Sequence, residues 1–397
     1  MTTRINIIGG GIGGLTAAIA AAEQDHAVVL YEAKRELGGR AWTTTEPVRA
    51  NWGPHVIYGD GTWWAWLCER GLGRPAARVP MRGRLHFRVG GRSRRMPPLE
   101  TVRGLVALRR RTPPDDVSFR DWAAAEVGER PAAHLSAFMG VATFDHDPGR
   151  FSASFVHERL LRAAAPIPSA RYFPGGWATL VGRLADRARE LGVRIELDCR
   201  MSTLPEDGPV IVATTARAAS SLLGDDRIAS RGTEVALLDL ELDGGSMPFI
   251  GSDMDEPGWA ETYSVPDPSL APRGHHLVQA QKGIRPGESL DDAVCRIEAM
   301  LDDTYPGWRE REVWRRRARL ESETGALDMP GSTWRDRPAV DRGGDVYLVN
   351  DMVAAPGLLA EVSVNAALEA VALAGREARP LRLGAREQGA GLGGAVG

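Results

Sequence analysis

At 397 residues, with 43% hydrophobic and 25% charged residues, the chain has the composition of an ordinary folded protein and is long for one core, so two domains are expected. A net charge of −3 gives no bulk electrostatic case for nucleic acid, and lysine occurs only at Lys34 and Lys282, the arginine excess reading as codon bias. Cys68, Cys199 and Cys295 are few and far apart, which fits a reducing compartment and neither a disulfide framework nor a metal cluster; with no apolar run long enough to cross a bilayer and no signal peptide ahead of Arg4, a cytoplasmic protein is expected.

The first predicted element is a buried parallel strand over Ile5 to Ile8. It runs into Gly9-Gly10-Gly11-Ile12-Gly13-Gly14, a match to G-x-G-x-x-G at Gly9, Gly11 and Gly14. An alanine-rich helix follows, with Leu15, Ile19 and Ala22 on one face, and then a second strand, Ala27 to Tyr31, ending at Glu32. Strand, glycine turn, helix, strand and acid together describe a dinucleotide site. Gly9 permits the tight turn, Gly11 lets backbone approach a pyrophosphate, and Gly14 lets helix and strand pack closely. The pyrophosphate sits on free N–H groups at the helix start. Glu32 is placed to accept from a ribose 2′-OH, and its charge would repel a 2′-phosphate, which favours FAD or NAD over NADP.

The next residues, Glu32-Ala33-Lys34-Arg35-Glu36-Leu37-Gly38-Gly39-Arg40-Ala41-Trp42-Thr43, resemble the fingerprint of the flavin-containing amine oxidoreductases, the superfamily of monoamine oxidases, protoporphyrinogen oxidases and phytoene desaturases. The resemblance implies FAD, with Gly13, Ala33, Arg35 and Gly39 along the cofactor and Arg40 reaching its phosphates and flavin region. A forked, permanently charged guanidinium suits that role. In Asn51-Trp52-Gly53-Pro54-His55 the resemblance brings backbone at Gly53 and Pro54 close to the isoalloxazine; Asn51 stands where the family commonly has Asp. His55 is the candidate catalytic side chain, as a base or substrate-orienting group near N5, with packing against the ring as the competing reading.

Further along, Trp63, Trp64, Trp66 and Leu67 fall on a short helix and read as packing residues. Arg82 to Arg95 reads as a hairpin turning at Gly90-Gly91. A helix from Thr101 ends in Arg109-Arg110-Arg111, which suits a helix C-terminus better than membrane contact. Ser118 and Asp121 read as an N-cap, and Asp145-His146-Asp147-Pro148 reads as a loop, not a metal site. From Tyr172 the chain returns to the cofactor domain. A helix carrying Leu180 and Leu184 is followed by strands at Val193 to Leu197 and Pro209 to Ala213. By resemblance Met201 contacts adenine, and Thr214 closes its strand near the ribose and phosphates. Strands at Val235 to Leu242 and His276 to Gln281 and a helix at Leu290 to Thr304 complete the second domain, with its sheet as a wall facing the flavin. Lys282, checked because amine oxidases keep a lysine near N5, does not match that context and is expected to be solvated. The C-terminal unit, a strand at Asp345 to Asp351 and a helix from about Leu358, resembles the terminal FAD motif, with Asp351 holding cofactor hydroxyls and Leu358 and Leu359 at the flavin pyrimidine. Aromatic residues that cage amines in monoamine oxidases are replaced here by Ala354-Ala355-Pro356-Gly357, closer to the phytoene-desaturase-like pattern.

The expected fold is therefore α/β: a Rossmann-like FAD domain of glutathione-reductase type from discontinuous segments (1–60, 171–220, 340–378), an α+β substrate domain (61–170, 221–339) and a disordered tail (379–397). The resemblance implies an FAD-dependent oxidoreductase, a dehydrogenase, desaturase or oxidase, taking hydride from a small-molecule C–H bond onto N5 and passing electrons to oxygen or another acceptor. An amine oxidase, a flavin-dependent isomerase and a non-catalytic binding protein on the same fold are the alternatives. No second glycine fingerprint is present, so the substrate itself is expected to reduce the flavin.

Overall fold

Two large sheets of different construction and a third of three short strands, Ile57–Tyr58, Ala170–Tyr172 and Ala77–Arg78, organise the described residues. The computed structural model describes residues 4–53, 56–80, 85–229, 232–321 and 325–377. Pro54, His55 and the tail from 378 lie outside the described residues.

The first sheet is five-stranded and wholly parallel, in the order Val346–Leu348, Val210–Val212, Arg4–Ile8, Ala27–Tyr31, Arg194–Glu196. Its strands come from three stretches far apart in sequence. The central strand pairs Ile5 with Val28 and Ile7 with Leu30 on one side and Ile7 with Ile211 on the other. Four of these strands are mostly apolar, as buried parallel strands must be, whereas the edge strand Arg194–Glu196 is charged and partly exposed. Helix Ile12–Ala22 packs on the sheet and carries almost only small residues, with Gly14 through Ala21 all buried. Its neighbours Trp177–Glu190 and Ala360–Glu377 bury Leu180, Leu184, Val364, Ala367 and Val371 in the same core. Gly14 sits where a Cβ would lie 1.9 Å from the Gly9 carbonyl oxygen, so only glycine lets helix and turn meet.

The second sheet is seven-stranded and mixed, in the order Glu312–Glu321, Glu234–Asp243, His275–Gly283, Gly258–Thr262, Ile250–Asp253, Leu85–Arg88, Ser93–Arg94. All neighbours are antiparallel except Ile250–Asp253 with Leu85–Arg88. Its rear face, through Ala236, Leu238, Leu240, Val278 and Ala280, packs on Val294, Ile297 and Leu301 of helix Leu290–Thr304. Helices Leu99–Leu108, Phe119–Val127, Glu129–Phe138 and Ala153–Ala163 form a separate layer around Phe119, Leu135, Phe151 and Leu160. Ser118 caps its second helix, its hydroxyl accepting from the Asp121 N–H at 3.1 Å. Among the described residues no helix is long and apolar enough to cross a membrane.

Lys282 corrects an expectation. It is not solvated but 1% exposed, on the rear face of the mixed sheet, where Nζ lies 2.7 Å from Asp253 and 3.0 Å from Glu256. The physical reason is the strand itself: pairing continues to Gly283, so Lys282 is held inward opposite Ala236 and must meet its counter-charges there.

Candidate functional site

A cavity of about 780 Å³ opens at the carboxyl ends of the five parallel strands and runs to the front of the mixed sheet. The crevice beyond the carboxyl ends of such strands is where open α/β sheets bind ligands. Residues just past each strand end line it: Gly9, Glu32, Thr214 and Val349, and Met201 after the fifth strand.

Its first end is built from backbone. Gly11 and Gly13 line it, and Gly39 lies against them; a Cβ on Gly11 would meet nothing nearer than 3.9 Å, so the turn leaves open space there. No side chain caps helix Ile12–Ala22 at Gly11, which leaves its first N–H groups for a ligand. Glu32, 7% exposed, anchors the turn: Oε2 accepts from the Gly10 N–H at 2.7 Å and Oε1 from the Lys34 N–H at 2.9 Å. Each oxygen keeps a second lone pair for a ligand hydroxyl. Ala33, Lys34, Arg40 and Arg200 complete this end. Arg40 and Asp351, more than 300 residues apart in sequence, both line the cavity and pair at 2.7 Å.

Several sequence-predicted residues lie beside the cavity and not on it. Gly14 packs behind the turn, and Gly53, with φ +94°, and Leu358, 1% exposed, do not line it, whereas Leu359 does. Arg35 points away: its side chain is 88% exposed and faces Asp198 at 3.6 Å. It sits in the bend after strand Ala27–Tyr31, where no helical or strand register holds it inward. Asn51 is fully buried; its Oδ1 accepts from the Trp177 N–H and the Thr43 hydroxyl, and its carbonyl oxygen from Gln279 and Arg316, which fixes the adjoining Trp52 on the wall.

The second end is built from side chains, and sequence reasoning missed it. Trp259, Glu261 and Tyr263 project from alternate positions of one strand and its continuation, facing Trp52, Tyr58 and Phe144. Glu261 is 5% exposed, and burial pushes its carboxyl up to about 7 against hydrogen bonds from Tyr172 and Tyr263 that pull the other way. Among the described residues its Oε1 has no hydrogen-bond partner. Burial also pushes the Tyr58 phenol up to about 12. Phe144 and Leu359, each with φ 55°, hold left-handed backbone conformations on the cavity rim. The available signal was Trp259-Ala260-Glu261-Thr262-Tyr263, where a period of two places an acid between two aromatics on one face.

Residues 7–70 match the NAD(P)-binding Rossmann-like domain family. The chain matches none of the curated proteins in sequence. In structure it is similar to an oxidoreductase from Methanosarcina mazei (TM-score 0.74, 16% identity, 92% of this chain and 99% of that one). It is similar also to cyclohexylamine oxidase from Brevibacterium oxydans (0.70, 18%, 95% and 99%) and to putrescine oxidase bound to putrescine (0.67, 14%, 96% and 100%). At these identities the likeness is one of fold. The chain shares its fold with these proteins, and residues 7–70 within it match the NAD(P)-binding Rossmann-like domain family.

Proposed function

We propose that the cavity holds FAD and that the protein is a flavin-dependent oxidoreductase acting on a small molecule. Bound there, FAD would supply the acceptor for hydride from a substrate C–H bond, with oxygen or another acceptor taking the electrons on. One observation carries the reading: a single cavity joins a turn shaped for a diphosphate to an aromatic wall on a different sheet. The residues fit the cofactor in charge as well as shape. Uncapped N–H groups at Gly11 to Gly13 and the Arg40 guanidinium suit a diphosphate, and Glu32 suits a ribose diol. Asp351 fixes Arg40, and Leu359 and Ala360 bring the N-terminus of helix Ala360–Glu377 to the cavity, where its dipole stabilises developing negative charge. Met201 and Thr214 would flank the nucleoside. Buried aromatic side chains exclude water from the far end, where a substrate would be held for transfer. On this reading residues 1–60, 171–220 and 340–378 form the cofactor half, and 61–170 with 221–339 the substrate half.

The purified protein should be yellow and release FAD on acid extraction. The bound flavin should bleach anaerobically with at least one member of a panel of amines, polyenes and cyclic intermediates. A colourless protein that stays colourless with added FAD would support a non-catalytic binding protein instead.

A further inference from the structure

Helix Ala360–Glu377 begins at the cavity, which Leu359, Ala360 and Ser363 line. Its second residue, Glu361, does not line the cavity and is 4% exposed. Glu361 Oε2 accepts from the Leu358 N–H at 3.1 Å. An acid in the first turn of a helix is ordinary, since it meets the positive end of the dipole. Here the same acid works against the cavity. A full negative charge one residue from the wall cancels the roughly half an elementary charge of positive sign that the helix start would otherwise present there. Arg162, in the last turn of helix Ala153–Ala163 and 199 residues away in sequence, answers that charge. Its Nη1 donates to Glu361 Oε2 at 2.7 Å and its Nη2 to Oε1 at 2.8 Å, a forked pairing that only arginine makes. Nη2 also donates to Asp60 at 3.0 Å, but the Asp60 side chain is 50% exposed and screened by water. The guanidinium lies 4.7 Å from the ring centroid of Tyr58, which lines the cavity, and its Nε has no hydrogen-bond partner among the described residues. The pair is closely enclosed. A Cβ on Gly61 would fall 1.7 Å from Glu361 Oε1, and one on Gly357, with φ +121°, 2.7 Å from Glu361 Cβ.

We propose that Arg162 is a positioning residue for the cofactor's redox chemistry: by neutralising Glu361 it keeps the start of helix Ala360–Glu377 positive toward the cavity, and so sets how readily a flavin held there takes up electrons. The proposal rests on the flavin-oxidoreductase reading and adds to it a residue that does not itself line the cavity. Electron uptake adds negative charge to the cofactor. A positive helix end favours that state, and an uncompensated carboxylate in the same turn opposes it. Charge and mechanical support make different demands on the pair. If the charges matter, removing the cation and removing the anion move the flavin's reduction equilibrium in opposite directions. If the pair only holds the helix in place, losing either partner loosens the same contact and has the same sign. The turn has other ties that keep it in position: Leu358 N–H to Glu361, the Thr62 hydroxyl to Asn365 at 2.8 Å, and Asn365 Nδ2 to the Pro356 carbonyl at 2.8 Å.

The test is the midpoint potential of the flavin-loaded protein, measured by anaerobic reductive titration against a reference dye, for the natural chain, Arg162→Met, Glu361→Gln and the two together. Glutamine keeps the shape of Glu361 and an oxygen that accepts from the Leu358 N–H. Arg162→Met should lower the equilibrium constant for reduction about tenfold, which is about 30 mV for a two-electron couple. Glu361→Gln should raise it about threefold or more, and the double variant should return to within about threefold of the natural chain, because the pair is then removed as a unit. An unchanged potential in Arg162→Met, no rise in Glu361→Gln, or a double variant as low as Arg162→Met alone would overturn the proposal. Should Arg162→Met not fold, the direction of the Glu361→Gln shift decides by itself. A protein with no flavin sinks the cofactor reading, whereas a yellow protein whose potential ignores both charges sinks only this inference.

Discussion

The two ends of the cavity are made by opposite means. At the nucleotide end the ligand-facing surface is backbone: Gly9, Gly11, Gly13 and Gly39, with Glu32 tying the turn through two N–H groups. At the sheet end it is side chain: Trp52, Phe144, Trp259, Glu261 and Tyr263, drawn from three separate stretches. Backbone geometry restricts which residue can stand at a position, because a Cβ at Gly9 would lie 2.3 Å from the Ala213 carbonyl oxygen. A strand position facing a cavity has no such restriction and can take whatever the ligand requires. The first end therefore carries what the fold itself constrains, and the second what is particular to this chain.

The largest effect should come from behind the wall. Lys282→Met leaves the buried Asp253 and the half-buried Glu256 with one cation fewer, and should destabilise the protein by roughly 3 kcal/mol in urea unfolding. Flavin per folded molecule should not change; a parallel loss would mean that the two ends are one unit and the contrast is wrong.

Next is the site acid. Glu261 titrates near 7 when folded and near the usual Glu value when unfolded, so the folded state holds its proton more tightly. The stability this supplies is complete below the unfolded value and is lost as pH rises through about 7. Glu261→Gln, which cannot ionise, should therefore be more stable than the natural chain by about 2–3 kcal/mol at pH 8 and equal to it at pH 4. Unfolding curves at the two pH values decide; a variant less stable at pH 8 would show that Glu261 is structural, not a group held against its own solvation for binding.

The smallest effect on stability should fall at Gly11. Its φ of −75° suits any residue and a Cβ would point into open space, so Gly11→Ala should change unfolding by less than about 1 kcal/mol. Flavin occupancy should nonetheless drop at least tenfold, read by acid extraction after dialysis, because the methyl group stands where a diphosphate would lie. Full occupancy would mean that the turn is not the cofactor's cradle.

Much of the fold was legible in particular residues. Ile5 to Ile8, Ala27 to Tyr31 and the helix Leu290–Thr304 follow from apolar period and length, and Ser118 from its capping hydroxyl. Strand Gly258–Thr262 went unseen, because Trp259, Glu261 and Tyr263 are buried by partners outside their own neighbourhood and the acid interrupts an apolar pattern. Lys282 misled for the same reason: a charged residue reads as surface until the counter-charges on Ile250–Asp253 and the turn after it are known.

By itself, the sequence determined the nucleotide turn, since a glycine there answers to atoms within the same strand–turn–helix unit and its reason is local. Only the tertiary structure decided that Arg40 meets Asp351, that Arg35 turns outward, and that Glu261 stands opposite Gln279, with no donor to Glu261 Oε1 or Gln279 Oε1 among the described residues. Those are relations between strands brought together by long-range pairing, and the free energy of a buried polar group depends on what the rest of the chain places around it.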